Sequence, residues 1–427
     1  MSEAVAVPLG AAPKTCPAPI SMAFLFADTG GGHRASALAV KQAVDAAYPG
    51  FVTAVLIDPT IENHSPLIRR ADSLYRVCVR STPWIWAAIF HLTNRRATVW
   101  IMRRTVLRTL SGSARRSSGG ADFDAVVSFH PLLSHAARHV ADRVPGGAIA
   151  ATVMTDLIDP HASWAHVEMD AVFVPNSSSA EKLIGLGLSA QRCHRVGLPV
   201  GSQFVKSTSV LPQRGRARAQ LGLDDRFTVL LVGGGEGAGG LYRKARALLR
   251  RCPDVQVCVI AGRNRRLLQH LKSLAERTGG RLHPTGFVDN MAQWMEAADL
   301  VVTKAGPGTI AEALAVGAPM LITGHLRGQE RRNPDFVAIG GAGFHERRLG
   351  RMVARIDELA HHPEQLERFV WSTRLLARPQ AASDIAATLV SLVEARRRAS
   401  AVSSVSSVRR WHRQPPRRHG TPGSSTP

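Results

Sequence analysis

The stretch LVVTKAGPGTIAEA, residues 300–313, joins a short apolar run to a helical pattern through a turn that contains Gly306 and Gly308. An unbroken apolar run predicts a parallel strand that is covered by helices on both faces. Backbone amides at the helix start, near Thr309, can bind a pyrophosphate without a metal ion. Glu312 follows one turn later, where its carboxylate could bind the paired hydroxyls of a ribose. The stretch therefore predicts an α/β fold with a nucleotide site beyond the end of a strand.

The alternation of apolar runs and helical patterns continues along most of the chain. Further apolar runs predict strands at residues 21–27, 53–58, 125–129, 148–155 and 171–175, and then at 227–232, 255–261 and 319–323. Two successive series of this kind predict two doubly wound, Rossmann-like domains that face a central cleft. We place the domains at residues 20–202 and 203–370, with C-terminal helices at 371–395 and disordered segments at 1–19 and 396–427.

The composition excludes several classes of protein. The chain has 427 residues, of which 45% are hydrophobic and 20% are charged, so wholesale disorder is excluded. We expect no transmembrane helix, since such a helix needs roughly 20 apolar residues, and no Sec-type signal peptide. Five scattered cysteines without a CxxC pair argue against a disulfide framework or a zinc cluster and fit a reducing cytoplasm.

The net charge of +22 is concentrated in two segments. Residues 66–120 contain eleven arginines and one acid, and residues 396–427 contain eight arginines and no acid. Such local patches could meet an anionic membrane surface or nucleic acid, although the second patch could equally be a solvated tail. No nucleic-acid motif accompanies the charge, so we expect no specific nucleic-acid partner.

Two glycine-rich stretches follow predicted strands. In DTGGGHRAS, residues 28–36, Gly31 and Gly32 precede His33, whose imidazole could take a proton from a hydroxyl; a capping or packing role is the alternative. In GGGEGAGG, residues 233–240, the backbone could line a phosphate or sugar site, and a flexible loop is the alternative. This second loop lacks the Lys-Ser/Thr ending of a P-loop, which disfavours ATP hydrolysis.

Polar side chains follow two other predicted strands. Gln329, Glu330 and Asn333 suit the recognition of sugar hydroxyls. A metal site could be drawn from Asp156, Asp159, His161 and His166, but their spacing matches no zinc pattern. We instead expect a loop that faces substrate, with Trp164 as a stacking surface.

A tryptophan-containing basic stretch covers residues 75–110. It interleaves Trp84 and Trp86 with Arg95, Arg96 and other arginines, a composition that suits anionic lipid headgroups. We expect peripheral contact with a membrane rather than a membrane span. An ordinary helix with a solvated basic face is the alternative.

Together these motifs resemble the monogalactosyldiacylglycerol synthases and the related diacylglycerol glucosyltransferases. The resemblance extends more distantly to the bacterial peptidoglycan N-acetylglucosaminyltransferase. It covers roughly residues 20–345, and its motifs occur in family order: DTGGGHRAS, SFHPL, VMTDL with HxxW, GLPV, LVGGGEG, AGRN, GFV, TKAGPGTIAEA and GQE. It implies a GT-B fold and transfer from a UDP-sugar with inversion. One difference is that Arg331 and Arg332 stand where the family has a small residue and a glycine.

The resemblance also implies roles for individual residues. The UDP-sugar site would be formed by Gly234, Gly235, Arg263, Phe287, Val288, Gly306, Gly308, Thr309, Glu312, Gln329, Glu330 and Asn333. His33, with Asp156 as the second candidate, would be the base that activates the acceptor hydroxyl. The residues that would contact the acceptor or the membrane are Gly31, Gly32, His130, Trp164, Trp84, Trp86, Arg95 and Arg96. No catalytic metal or cofactor is implied, because helix dipole and amides can stabilise the leaving UDP.

The leading expectation is a hexosyltransferase that moves galactose or glucose from a UDP-sugar to diacylglycerol at the cytoplasmic face of a membrane. The alternative is transfer of a sugar such as N-acetylglucosamine to a polyprenyl-linked or other lipid acceptor. A non-catalytic binding protein on the same scaffold is a third hypothesis, which the presence of His33, Glu312, Gln329 and Glu330 disfavours.

Overall fold

The computed structural model describes residues 18–27, 31–61, 82–104, 106–117, 119–205 and 214–411. Its first sheet contains six parallel strands in the order β2-β1-β3-β4-β5-β6. These strands are β1 (Ile20–Leu25), β2 (Val52–Ile57), β3 (Ala125–Ser128), β4 (Ile149–Val153), β5 (Ala171–Val174) and β6 (Cys193–Arg195).

The second sheet also contains six parallel strands, in the order β12-β11-β10-β7-β8-β9. These are β7 (Thr228–Val232), β8 (Gln256–Ile260), β9 (Leu282–Thr285), β10 (Leu300–Thr303), β11 (Met320–Ile322) and β12 (Gly343–His345). The central strands β7, β8, β10 and β11 are wholly buried, as expected for a parallel sheet between two helical layers.

Helices connect the strands and cover both sheets. In the described part of the amino-terminal half they are α1 (Gly32–Ala47), α2 (Pro83–Thr93), α3 (Arg96–Arg104), α4 (Val106–Ser117), α5 (Ser134–Ala141) and α6 (Ser177–Gly185). In the second half they are α7 (Arg214–Leu221), α8 (Leu241–Arg251), α9 (Arg265–Ala275), α10 (Met291–Ala297), α11 (Pro307–Val316), α12 (Asn333–Ile339), α13 (Leu349–His361), α14 (Glu367–Leu376) and α15 (Ala381–Trp411).

The predicted fold class is confirmed, and each predicted strand has a counterpart. The strands that the sequence did not predict are β6, β9 and β12, each of which lies at the edge of its sheet. Their sequences are CHR, LHPT and GFH, and most of these residues are partly exposed. An edge strand needs no continuous apolar run, because one side of it faces away from the sheet.

The last helix corrects the predicted disorder for residues 396–411, the part of the segment 396–427 that the structure describes. Helix α15 continues from the predicted helical segment to Trp411, and residues 412–427 lie outside the described residues. Arg396 bonds to the carbonyl of Ala148 at 2.6 Å and pairs with Asp170 at 3.0 Å. Arg397 pairs with Asp124 at 2.7 Å. These arginines were predicted to belong to a disordered tail, but they fix the middle of α15 to the amino-terminal domain.

Helix α15 completes the core of the amino-terminal domain although it follows the second domain in sequence. It packs against α1 and β4, and Ile385, Leu389 and Val393 are buried in the same cluster as Phe24. The other face of this sheet is covered by residues of α4, α5 and α6. The two domains are therefore joined both by the chain near residue 200 and by this returning helix.

One further finding concerns the hydropathy of the helices. Within the described residues, no helix combines the length and the apolar character that crossing a membrane requires.

The packing of α15 can be tested by truncating one buried side chain. Leu389→Ala should lower the free energy of unfolding by about 2–4 kcal/mol, because it leaves a cavity in a fully buried cluster. The exposed Ser391→Ala on the same helix is the control and should change stability little. Urea denaturation measures both; a Leu389→Ala protein as stable as the control would contradict the role of α15.

Candidate functional site

The residue predicted to be the base, His33, lies in the first turn of α1, at the carboxyl ends of the strands of the first sheet. Gly31 caps this helix with φ +83°, in the left-handed region that favours glycine. The Nδ1 atom of His33 lies 2.8 Å from the carbonyl oxygen of Phe129 and 2.8 Å from Oγ1 of Thr155. A carbonyl can only accept, so Nδ1 carries the hydrogen and the neutral ring has its lone pair on Nε2.

His130 lies beside this ring. The centroids of the His33 and His130 imidazoles are 4.5 Å apart, and the two rings meet edge to face. Burial, and secondarily the nearby His33, holds the pKa of His130 well below its usual range. His130 is therefore neutral near pH 7 and adds no positive charge that would oppose protonation of His33.

Asp156 joins the two domains. Its carboxylate is buried, with one oxygen accepting from Nε1 of Trp164 and the other from Nε2 of Gln329, each at 2.7 Å. Burial raises the pKa of Asp156, and the hydrogen bonds from Gln329 and Trp164 partly oppose this rise. The residue predicted as a possible base thus already has both oxygens engaged, and it holds Gln329 of the second domain at the cleft.

The structure corrects the predicted role of Trp164 as a stacking surface. Its side chain is fully buried, in the cluster that covers one face of the first sheet. The HxxW motif forms a 3-10 turn at Ala162–Trp164 that directs the indole inward, toward Asp156. No face of the ring is open to an acceptor, and its contribution is the hydrogen bond to Asp156.

The other polar residues of this loop are engaged separately. Asp159 pairs with Lys182, and His161 bonds to Ser163 at 2.7 Å. Burial lowers the pKa of His161 to about 4. Among the described residues, no three His, Cys, Asp or Glu side chains are grouped so that they could hold a metal ion. Metal-independent chemistry stays a prediction.

The nucleotide site predicted in the second domain lies at the start of α11. Gly306 caps this helix, and a Cβ atom placed at Gly308 would meet no atom within 4 Å, so the backbone there is open to a ligand. Glu312 is half-buried in the first turns, and its carboxylate has no hydrogen-bonding partner in the described part of the chain. Burial raises its pKa to about 7. An unpartnered carboxylate beside an open helix start fits a ligand that supplies hydroxyl donors.

The second glycine loop packs against the turn that contains Arg263. The amide of Arg263 donates to the carbonyl of Gly235 at 2.8 Å, and Gly234 has φ +70°. The Arg263 guanidinium lies 5.2 Å from the centre of the Phe287 ring, which is 58% exposed. Val288 is partly buried against the domain core. The residues predicted to contact the uracil and the phosphates of the nucleotide are thus neighbours at one end of the second sheet.

Two of the residues predicted to recognise the sugar, Glu330 and Asn333, are buried and hydrogen-bonded to other protein groups. Glu330 is buried, pairs with Lys304 at 2.6 Å and accepts from the amide of Leu326 at 2.7 Å. Asn333 is fully buried and donates to the carbonyl of Ala305 at 2.9 Å. Lys304 and Thr155 are site residues that the sequence reasoning did not single out, although both lie directly at the ends of predicted strands.

Helix α2 contacts the loop that carries Gln329 and Glu330. Gly328 has φ +89°, and a Cβ atom placed there would lie 3.0 Å from the ring of Phe90. Phe90 is buried and its ring also lies 5.0 Å from that of His161. The helix therefore packs on both sides of the cleft, next to Gln329.

The opposite side of α2, together with α3, forms an exposed apolar and basic surface that we call the α2–α3 surface. Its exposed apolar residues are Trp84, Ile89, Leu92, Trp100 and Ile101. Its exposed arginines are Arg95, Arg96 and Arg104, the last lying 3.8 Å from the centre of the Trp100 ring. Trp86 is partly buried, so of the two tryptophans predicted to meet a membrane Trp84 is the more exposed.

With this geometry established, comparison with known proteins identifies the family. Residues 33–200 match the family model for monogalactosyldiacylglycerol (MGDG) synthase, and residues 228–367 match the glycosyltransferase family 28 C-terminal domain. Monogalactosyldiacylglycerol synthase 2 of Arabidopsis thaliana is 30% identical over 393 residues, covering 89% of this chain and 82% of that protein. A probable synthase 2 of Oryza sativa subsp. japonica is 32% identical over 399 residues, with the same coverage.

The chain belongs to the monogalactosyldiacylglycerol synthase family. It is a UDP-sugar-dependent glycosyltransferase in a family that glycosylates lipid.

Solved structures confirm the GT-B fold. MurG from Acinetobacter baumannii has a TM-score of 0.53 at 15% identity, covering 87% of this chain and 100% of that one. The UDP-GlcNAc 2-epimerase from Neisseria meningitidis, bound to UDP-GlcNAc, has a TM-score of 0.55 at 13% identity, with the same coverage. At these identities the likeness concerns the fold alone.

Because Glu312 has no partner among the described residues, replacing it should raise the stability of the protein and lower its affinity for UDP. A carboxyl whose folded pKa is raised above its unfolded value destabilises the protein once the pH exceeds the unfolded value. Glu312→Gln should therefore raise the free energy of unfolding at pH 8 by roughly 1–3 kcal/mol, and by less as the pH falls toward 4.5. The same variant should lose most of its affinity for UDP.

Urea denaturation at pH 8 and pH 5, together with UDP titration, checks both effects. Glu276→Gln, at an exposed position, is the control. A Glu312→Gln protein that is destabilised at pH 8, or that binds UDP as the wild type does, would remove Glu312 from the nucleotide site.

Proposed function

We propose that this protein transfers galactose or glucose from the corresponding UDP-sugar to diacylglycerol, with inversion at the sugar carbon, at a membrane surface. The observation that carries the proposal is the His33 imidazole, whose Nδ1 is tied to the carbonyl of Phe129. The family membership supports the sugar and the acceptor, because the relatives are named as monogalactosyldiacylglycerol synthases.

The proposed reaction is a single displacement. The acceptor hydroxyl gives its proton to Nε2 of His33 while its oxygen forms a bond to the anomeric carbon. The bond from that carbon to the diphosphate oxygen breaks, and the electron pair leaves with UDP. The amides at the start of α11 stabilise the departing charge, so no catalytic metal and no cofactor are required.

The partners of His33 suit this role. The carbonyl of Phe129 and the hydroxyl of Thr155 both lie at 2.8 Å from Nδ1, so the ring keeps one orientation in its neutral and protonated forms. The carbonyl dipole also stabilises the imidazolium that forms during transfer. Asp156, whose oxygens accept from Trp164 and Gln329, is better suited to positioning Gln329 than to accepting the proton.

The α2–α3 surface supports a membrane-bound acceptor. Two tryptophans, exposed aliphatic residues and arginines occur together on neighbouring helices, a combination that fits the interface of an anionic membrane. The packing of Phe90 against Gly328 places this surface next to the loop that would read the sugar. We propose a peripheral location at the cytoplasmic face of the membrane.

A transfer assay tests the reaction. Purified protein is mixed with anionic vesicles that contain diacylglycerol and, separately, with radiolabelled UDP-galactose, UDP-glucose or UDP-N-acetylglucosamine. We expect labelled glycosyldiacylglycerol from a hexose donor. Labelling only from UDP-N-acetylglucosamine, or only with a polyprenyl-linked acceptor in place of diacylglycerol, would contradict the proposal and establish the alternative enzyme.

The base can be tested within the same assay. His33→Ala should retain UDP affinity but lower kcat by about 100-fold or more, since general-base catalysis contributes typically 10²–10⁴-fold. Asp156→Asn retains a polar side chain of the same size and should act mainly on the KM for the donor through Gln329. Unchanged turnover of His33→Ala would exclude it as the base.

Membrane contact is tested by vesicle flotation. Replacing Trp84, Leu92 and Trp100 by serine should weaken binding to anionic vesicles, and wild-type binding should fall as salt rises. The control replaces Ile339, Trp371 and Leu375, which are also more than half exposed but belong to the second domain and α14. Equal binding by the first variant and wild type, or loss only in the control, would rule out the α2–α3 surface.

A further inference from the structure

Lys244 lies beside the proposed donor site but was not among its predicted residues. It ends the first turn of α8, directly after the glycine loop at residues 233–240. Its Nζ donates to Oγ1 of Thr323 at 2.7 Å, and this hydroxyl donates in turn to the carbonyl of Thr303 at 3.1 Å. The ammonium group therefore reaches across the carboxyl ends of β10 and β11, the edge at which ligands of such sheets bind.

The charge of Lys244 is not balanced by the protein. Among the described residues, no carboxylate lies within ion-pair distance of its Nζ, and the side chain is half-buried. Lys304, at the end of β10, differs because it pairs with Glu330 at 2.6 Å. Burial lowers the pKa of Lys244 to about 8. A cation kept in this position without an anion is costly to the empty protein and fits a site whose anion is a ligand.

Lys244 lies against backbone that has no side chain at the point of contact. A Cβ atom placed at Gly239 would lie 3.7 Å from the Lys244 Nζ, so the ammonium lies against the glycine loop itself. Gly234, in the same loop, would bring a Cβ atom to 4.0 Å from Cε of Lys304. Both lysines thus approach glycines of this loop, where the absence of a side chain allows close contact with phosphate oxygens.

We propose that Lys244 binds the diphosphate of the UDP-sugar donor, an assignment that rests on the proposed function. The uridine would be held by other residues, around Phe287 and Glu312. When the bond to the sugar breaks, negative charge builds up on the diphosphate oxygen, and the ammonium stabilises it more strongly than it stabilises the bound donor. Lys244 would therefore contribute both to donor affinity and to kcat.

The test compares ligands with and without the diphosphate. Lys244→Met should bind UDP about 10- to 100-fold more weakly than wild type, because a charge-assisted contact is lost. Its affinity for uridine should not change, and Lys244→Arg should keep most of the UDP affinity. Arg243→Met, on the exposed side of the same helix turn, is the matched control and should behave as wild type. Calorimetry measures UDP binding, and ligand-observed NMR measures uridine binding.

The outcomes separate this inference from the proposed function. If wild type fails to bind UDP, the proposed function fails and this assignment falls with it. If wild type binds UDP and Lys244→Met binds it equally well, the assignment is wrong and the proposed function stands. A Lys244→Met protein that loses uridine as well as UDP, or that melts below the Arg243→Met control, would show a structural role and also overturn the assignment.

Discussion

The requirement that both faces of a parallel sheet be buried determines where this protein can bind anything. Helices cover the faces of both six-stranded sheets, so the carboxyl ends of the strands are the edge where functional loops collect. His33, Asp156, Glu312 and Lys244 all lie in segments that directly follow a strand or begin the next helix. The two edges belong to different domains, and a reaction between donor and acceptor depends on how these domains are joined.

Besides the chain near residue 200 and the packing of α2, two features join them. Helix α15 follows the second domain but completes the core of the first, with Arg396 and Arg397 bonded to its edge. At the cleft, Gln329 donates to Asp156, which Trp164 holds from within the first domain. The buried acid is thus part of the connection between the half that we propose to activate the acceptor and the half that we propose to bind the donor. Burial at this contact also raises the pKa of the Asp156 carboxyl.

The features that could be predicted from the sequence are those that depend on a local pattern of residues. Continuous apolar runs predicted the central strands, and glycine-rich turns after them predicted the two halves of the site. The edge strands β6, β9 and β12 were not predicted from the sequence, because they are short and partly polar. The inward orientation of Trp164 and the bond between Asp156 and Gln329 could not be predicted, since they depend on tertiary packing between distant segments. The arginines of α15 were misassigned because their partners, Asp124 and Asp170, are far away in sequence.

The stereochemistry of the product tests the central claim, direct attack of the acceptor hydroxyl on the anomeric carbon, more directly than any rate. The anomeric configuration of the glycosyldiacylglycerol, made from a UDP-α-hexose, can be read by proton NMR from the coupling between H1 and H2. A single displacement predicts a β-linked product. An α-linked product would require a different mechanism and would contradict direct displacement by the activated hydroxyl.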